Sequence, residues 1–236
     1  AATISGMQKK HLVIIGGRPS MGKTSLAIQI AWITALNEGP VYIASLESAS
    51  LEIIERLAIK EAKIDSRRFQ AGFINAEDAD AMLGATKRLR DLPLFINDSP
   101  VQNFYGISAA ARHIQRKHGL ALIIMDFLQR LETTGDSSKR TLELESFCRR
   151  SKSLAKELSV PFMIVSQLSR GPESRVQQQY RPIMSDLRES GGIEQEADIV
   201  LLLHRLSYYG ISKYKEDKQP SENTAEIIVA KQKNGP

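Results

Sequence analysis

Seven short apolar runs rich in β-branched residues punctuate the chain: Leu12 to Gly16, Val41 to Leu46, Leu94 to Asn97, Ala121 to Met125, Pro161 to Ser166, Ile199 to His204 and Ala225 to Ala230. They are too short for helices and mostly lack polar alternation, which predicts strands buried on both faces. The segments between them carry apolar residues at helical spacing, as in Ser25 to Leu36. Further along, Leu144, Phe147, Cys148, Ser151, Leu154, Ala155 and Leu158 share one face of a long helix. Strand and helix in alternation predict an α/β fold with a central, mostly parallel sheet flanked by helices. A polar segment with no helical period separates the last two runs, so they are expected to form antiparallel edge strands near the C-terminus.

Four stretches interrupt this rhythm. Ser66 to Asp91 carries mixed charges and a Gly72 break and reads as a surface excursion. Thr133 to Lys139 is a polar loop before the long helix. Ser169 to Met184 has no apolar period, and loops of that length in compact domains are usually functional. Ser185 to Gly192 reads as a capped short helix ended by two glycines. With no Pro-, Gly- or Ser-rich linker and no fixed-period repeat, residues 1–236 are expected to be one domain.

Composition adds bounds more than direction. Hydrophobic residues at 42% and charged residues at 25% are ordinary for a globular chain, and the net charge of +5 favours polyanionic partners only modestly. The single Cys148 excludes an intrachain disulfide and reads as a small apolar residue on a helix face. No apolar run approaches the roughly 18 residues of a membrane span, and Ala1 to Lys10 lacks the apolar region of a secretory signal, so a cytoplasmic protein with no membrane partner is expected. Trp32 lies among Ile28, Ile30, Ala31 and Ile33 and reads as core. Arg149, Arg150, Lys152 and Lys156 read as a solvated helix face, and Tyr208 and Tyr209 as edge-strand packing or base stacking.

Chemistry concentrates at the ends of the predicted strands. Gly17-Arg18-Pro19-Ser20-Met21-Gly22-Lys23-Thr24 fits the phosphate-loop pattern, and it lies between a predicted strand and a predicted helix, where that motif belongs. Glycines at 17 and 22 let backbone amides approach phosphate oxygens, and the first helical turn, with Ser25, adds unpaired donors. Lys23 would reach the β- and γ-phosphates of ATP or another nucleoside triphosphate, and the Thr24 hydroxyl would ligate Mg²⁺. Ala121 to Met125 closes on Asp126, an acid placed to support the same Mg²⁺. Val41 to Leu46 closes on Glu47, a candidate general base for the attacking water or else a helix-capping acid. Gln167, at a third strand end, can both donate to and accept from a γ-phosphate environment.

Together with Glu47, several motifs resemble the motor domain of DnaB-type replicative DNA helicases. They are Gly17 to Thr24, Met125-Asp126-Phe127-Leu128-Gln129, Ser166-Gln167-Leu168-Ser169-Arg170, Ser185-Asp186-Leu187-Arg188-Glu189-Ser190-Gly191, Ala197-Asp198-Ile199-Val200 and Ala230-Lys231-Gln232-Lys233-Asn234-Gly235-Pro236. The resemblance runs nearly end to end. It implies a RecA-like P-loop NTPase that assembles as a homohexameric ring, hydrolyses nucleoside triphosphate between subunits and translocates on single-stranded DNA, with a primase and a helicase loader as partners. It implies that Glu47, Asp126 and Gln167 act in catalysis, and that Arg188, Glu189 and Gly191 meet the DNA backbone. Lys231 and Lys233 are implied to reach the γ-phosphate held by a neighbouring subunit. The family usually has Arg where this chain has Lys233, so either turnover is lower or Arg205 shares the task. The N-terminal collar and linker helix of such proteins are not visible before Gly6. Two other readings stay open, a RecA-like recombinase or ATP-regulated assembly protein, and an isolated motor domain acting only as a partner-binding module.

Overall fold

A computed structural model describes residues 6–130, 137–187, 191–215 and 218–233. Seven strands form one sheet: β1 (Leu12–Gly17), β2 (Val41–Ser45), β3 (Leu94–Asn97), β4 (Leu122–Asp126), β5 (Phe162–Gln167), β6 (Ile199–His204) and β7 (Glu226–Gln232). Their order across the sheet is β3-β2-β4-β5-β1-β6-β7. The first six are mutually parallel, and β7 closes the edge antiparallel to β6, as the polar break before it predicts. β1, β2, β4 and β6 are buried at every position, which explains why their sequences lack alternation.

Helices cover both faces. On one side α1 (Lys23–Asn37), α2 (Ser50–Glu61) and α4 (Ala76–Arg90) pack on Ile15, Ile43, Ile124 and Val165. On the other, α5 (Phe104–His118), α6 (Ser137–Leu158) and α7 (Gly191–Glu196) pack on Ile14, Tyr42, Met125 and Ile164. The predicted face of α6 is the buried one, with Leu144, Cys148, Ser151, Leu154 and Ala155 all at 1% exposure or less. Trp32 packs at the margin of the α1 side, as expected.

Several expectations change. Lys152, read as part of a solvated helix face, is only 12% exposed and pairs with Asp198. The excursion from Ser66 to Asp91 holds a short α3 (Ser66–Gln70), a left-handed Gly72 and the longer α4, capped reciprocally by Asn75 and Asp78. It is only partly surface, because Ala85 and Leu89 of α4 are buried against the core. The stretch Ser185 to Gly192 is not a helix ended by glycines. The Asp186 carboxylate accepts from the Ile183 amide at 2.7 Å and takes both arms of the Arg175 guanidinium at 2.6 and 2.8 Å, closing a single 3₁₀ turn over Met184–Asp186. Leu187 then runs extended and bridges Leu168 just beyond β5, and the two glycines open α7 instead.

Candidate functional site

The phosphate loop lies where the order of strands requires a site. β1 is flanked by β5 on one side and β6 on the other; its own connection runs toward β2, whereas that from β5 runs the other way to β6, which makes this the switch point at which open α/β sheets bind ligands. Gly17 ends β1 and α1 begins at Lys23, with Gly22 at φ 92° as its cap. That left-handed backbone suits glycine, and it turns the loop back over the helix N-terminus. Gly17 is glycine for a different reason: an added Cβ would sit 3.0 Å from Lys23 Cγ and 3.3 Å from the Leu203 carbonyl.

Four strands deliver side chains to this loop. The Leu46 amide donates to the Asp126 carbonyl at 2.7 Å, tying the end of β2 to that of β4 and bringing Glu47 beside Asp126. Gln129 bridges β4 to β5: its Nε2 donates to Ser166 Oγ at 2.9 Å, and its Oε1 accepts from the Gln167 amide at 3.0 Å. Lys23, Thr24, Glu47 and Gln167 therefore line one cleft of about 620 Å³, with Pro19, Ser20, Gly22 and Ser25 on its loop side. Arg56 of α2 and Arg205, just past β6, line the same cleft.

The electrostatics fit an anion and a hard cation. Burial lowers the Lys23 pKa, while the charges of Asp126 and Glu47 oppose that shift. Its ammonium rests on the Arg18 carbonyl at 3.0 Å. Asp126 is 4% exposed, and burial raises its carboxyl pKa, with Thr24, Lys23 and Arg56 pulling the other way and Glu47 adding to the rise. Among the described residues its Oδ1 is buried without a protein partner. A buried carboxylate oxygen lacking a donor, with the Thr24 hydroxyl nearby, is a pair of oxygen groups that fits a hard cation such as Mg²⁺. Among the described residues no group of three or more His, Cys, Asp or Glu could hold a metal by itself.

The two lysines near the C-terminus lie elsewhere. Lys231 pairs with Val200, which pairs with Ile14, so Lys231 is level with a residue three before Gly17. At about 3.3 Å per residue and 4.8 Å per strand, its backbone is about 14 Å from Gly17. The Lys233 amide bonds the Asp198 carbonyl, and the Asp198 amide bonds that of Leu12, which puts Lys233 level with the start of β1. Arg205, at the opposite end of β6, faces the chain's own cleft and does not stand beside Lys233. Arg188 and Glu189 lie outside the described residues, and Gly191 is the first residue of α7.

Sequence reasoning gave no role to Arg56 or Arg175, placed Gln129 only within a resembling motif, and read Arg18 only as a member of the phosphate loop. Arg18 clamps the loop: its guanidinium donates to the Leu168 carbonyl at 3.1 Å and pairs with Glu173 at 2.5 Å. No local pattern in the sequence marks these partners, since Glu173 is 155 residues away. Cys148 matches its apolar reading, as burial, with Glu196 and Glu145 nearby, pushes its thiol up to about 12. Tyr209 stacks on Tyr180 at 4.2 Å, which supports packing for that ring.

A phosphate loop at the switch point of a mostly parallel sheet, joined by acids from β2 and β4, defines a nucleotide-binding domain of the RecA-like class. The chain belongs to the DnaB-like helicase C-terminal domain family, whose model matches residues 1–236. It is 40% identical over 235 residues to the replicative DNA helicase DnaB of Geobacillus stearothermophilus, covering 98% of this chain and 50% of that protein. It is 38% identical over 233 residues to the replicative DNA helicase DnaB of Leifsonia xyli, covering 98% and 49%. The chain thus spans about half the length of the curated relatives it matches. Among solved structures, the ATPase domain of G40P superposes with a TM-score of 0.87 at 35% identity, over 98% of this chain and 80% of that one. A DnaB-like replicative helicase studied for its interactions with primase gives the same TM-score and identity, over 98% and 56%. Among the described residues no helix is long and apolar enough to cross a membrane.

Proposed function

We propose that this chain is the motor of a replicative DNA helicase, hydrolysing ATP or another nucleoside triphosphate with Mg²⁺ to translocate on single-stranded DNA and unwind duplex. One observation carries the reading: Lys23, Thr24, Glu47 and Gln167 line one cleft with Asp126 bonded to Thr24 beside it, whereas Lys231 and Lys233 stand at the other end of the sheet. A site with a phosphate cradle, a base and a metal acid, and with its last cations pointed away, is completed by a second copy. This supports a homohexameric ring.

In this reading the amides of Gly17 to Ser25 cradle the phosphates and Lys23 pairs with the β- and γ-phosphates. Thr24 and Asp126 would hold Mg²⁺, which would supply positive charge to offset that of the phosphates. Glu47 takes the proton of the attacking water. Gln167, fixed by Gln129, contacts the γ-phosphate, and Arg56 and Arg205 add positive charge within the chain's own cleft. Lys231 and Lys233 neutralise transition-state charge at a neighbour's loop, a role worth about 10³ to 10⁵ in rate for a trans cation. Arg188, Glu189 and Gly191 track the phosphates of the strand without reading bases. A primase and a loader are the partners this role requires. The family match over 98% of the chain leaves a recombinase or a regulatory assembly protein without support of its own.

The test is complementation. Lys23→Ala spoils a subunit's own loop, and Lys231→Ala with Lys233→Ala spoils what it lends. Each variant alone should be inactive, yet an equimolar mixture should recover turnover stimulated by single-stranded DNA, because some interfaces join an intact loop to intact lysines. A mixture as inactive as its parts would refute sites completed in trans.

A further inference from the structure

Lys231 is not free in this fold. The β6–β7 ladder has a bulge between Val200 and Leu201: Leu201 pairs with Val229 and Val200 with Lys231, leaving Ala230 as the extra residue. In a regular ladder Ala230 and Lys231 would face opposite sides. Bulges re-aim side chains, and here the extra residue turns Lys231 toward the face that Ala230 also packs on, the face of α7. There the Lys231 ammonium donates to the Glu194 carbonyl at 2.5 Å.

α7 connects that carbonyl to the candidate DNA contact. It opens at Gly191, so Glu194 is three residues, less than one turn, from a group proposed to meet the DNA backbone. The helix is seated on α6 by Ile193, which is fully buried, and by the Gly192 amide, which donates to Glu145 Oε1 at 3.0 Å. The seat is close: a Cβ at Gly192 would stand 2.2 Å from Glu145 Cγ. A short helix moves as one body, and a shift of about 1 Å takes a 2.5 Å contact beyond hydrogen-bond range or badly off line.

We infer that α7 is a latch between the DNA channel and the trans-acting lysine, with Glu145 as the residue that positions it. Off DNA, Glu145 holds α7 and the Glu194 carbonyl retains Lys231. Contact of a DNA phosphate with Gly191 displaces α7 and releases the ammonium to the neighbour's γ-phosphate. This rests on the proposed trans role of Lys231 and adds the means by which DNA controls it.

The experiment measures nucleotide turnover of the assembled protein with and without single-stranded DNA. Glu145→Ala removes the acceptor of the Gly192 amide. Turnover without DNA should rise about three- to ten-fold, the factor that one net hydrogen bond is worth, and the stimulation ratio should fall to match. Glu145→Gln keeps an acceptor oxygen and should restore the wild-type ratio. Gly192→Ala, which lifts α7 off its seat by contact with Glu145, should act in the same direction as Glu145→Ala and serves if that variant folds poorly. Adding Lys231→Ala to Glu145→Ala should abolish the gain. The latch is overturned if the ratio is unchanged in both Glu145→Ala and Gly192→Ala, or if the gain survives without Lys231. If instead Lys231→Ala alone leaves turnover untouched, the trans role itself has failed.

Discussion

Replacing Asp198 by alanine should cost this fold about 3 to 5 kcal/mol, the usual result of removing one partner from a buried ion pair. Asp198 stands just before β6, and its carboxylate accepts from the Leu12 amide at 2.7 Å and from the Lys152 ammonium. The paired side chains are only 9% and 12% exposed. Without the carboxylate, Lys152 keeps a single acceptor, the Lys10 carbonyl at 2.8 Å, and the Leu12 amide keeps none from this side chain. An orphaned buried donor accounts for about 1 to 3 kcal/mol of the loss, and the stranded ammonium for the rest. In urea unfolding, with a slope of about 3 kcal/mol per molar, the midpoint should fall by about 1 to 1.7 M. Adding Lys152→Met should recover part of that fall, since two absent partners cost less than one unpaired charge. The pH dependence follows from the carboxyl itself. Burial disfavours its charge, but Lys152 and the Leu12 amide outweigh that and hold its pKa below the unperturbed 3.8. Its stabilisation is therefore complete above that value and is lost as pH falls through the lower folded one. The gap between wild type and Asp198→Ala should be level near neutrality and close in acid. A gap below about 1 kcal/mol, or one that widens on acidification, would refute the reasoning.

Two further outcomes bear on the cleft. Glu47→Gln should lower the turnover number by about 10² to 10⁴ while nucleotide affinity holds, and a loss under ten-fold in single-turnover assays would remove Glu47 as the base. Asp126→Asn should abolish metal-dependent turnover and yet raise the thermal midpoint at neutral pH. Burial raises the Asp126 carboxyl pKa, so its ionised form costs the fold stability at pH values above 3.8, increasingly so up to the folded value. Asparagine removes that cost; a lower midpoint at neutral pH, measured calorimetrically, would contradict it.

Much of the architecture could be read from the chain because parallel strands buried on both faces leave a distinctive trace. Leu12 to Gly17, Val41 to Ser45 and Ile199 to His204 are nearly unbroken apolar runs for that reason. The phosphate loop and the acids at the ends of β2 and β4 were equally legible, since each follows an apolar run at a fixed point. What misled was local chemistry with distant partners. Ser185-Asp186 followed by two glycines looks like a capped helix, but Arg175 and the Ile183 amide claim the Asp186 carboxylate, and Leu187 pairs across to Leu168. The burial of Ala85 and Leu89 depends on α2, which a pattern of mixed charge does not reveal.

The sequence by itself determined the element types, the parallel sheet and the identity of the groups at strand ends, because periodicity and local motifs are properties of neighbouring residues. It also carried the family resemblance. The tertiary structure decided where those groups stand relative to one another. Strand order brings Lys23, Glu47, Asp126 and Gln167 to one rim, although up to 144 positions separate them along the chain. The antiparallel turn of β7 sends Lys231 and Lys233 to the other end, and one bulge aims Lys231 at α7. Direction and register are set by pairing between strands, and no single stretch of sequence contains them.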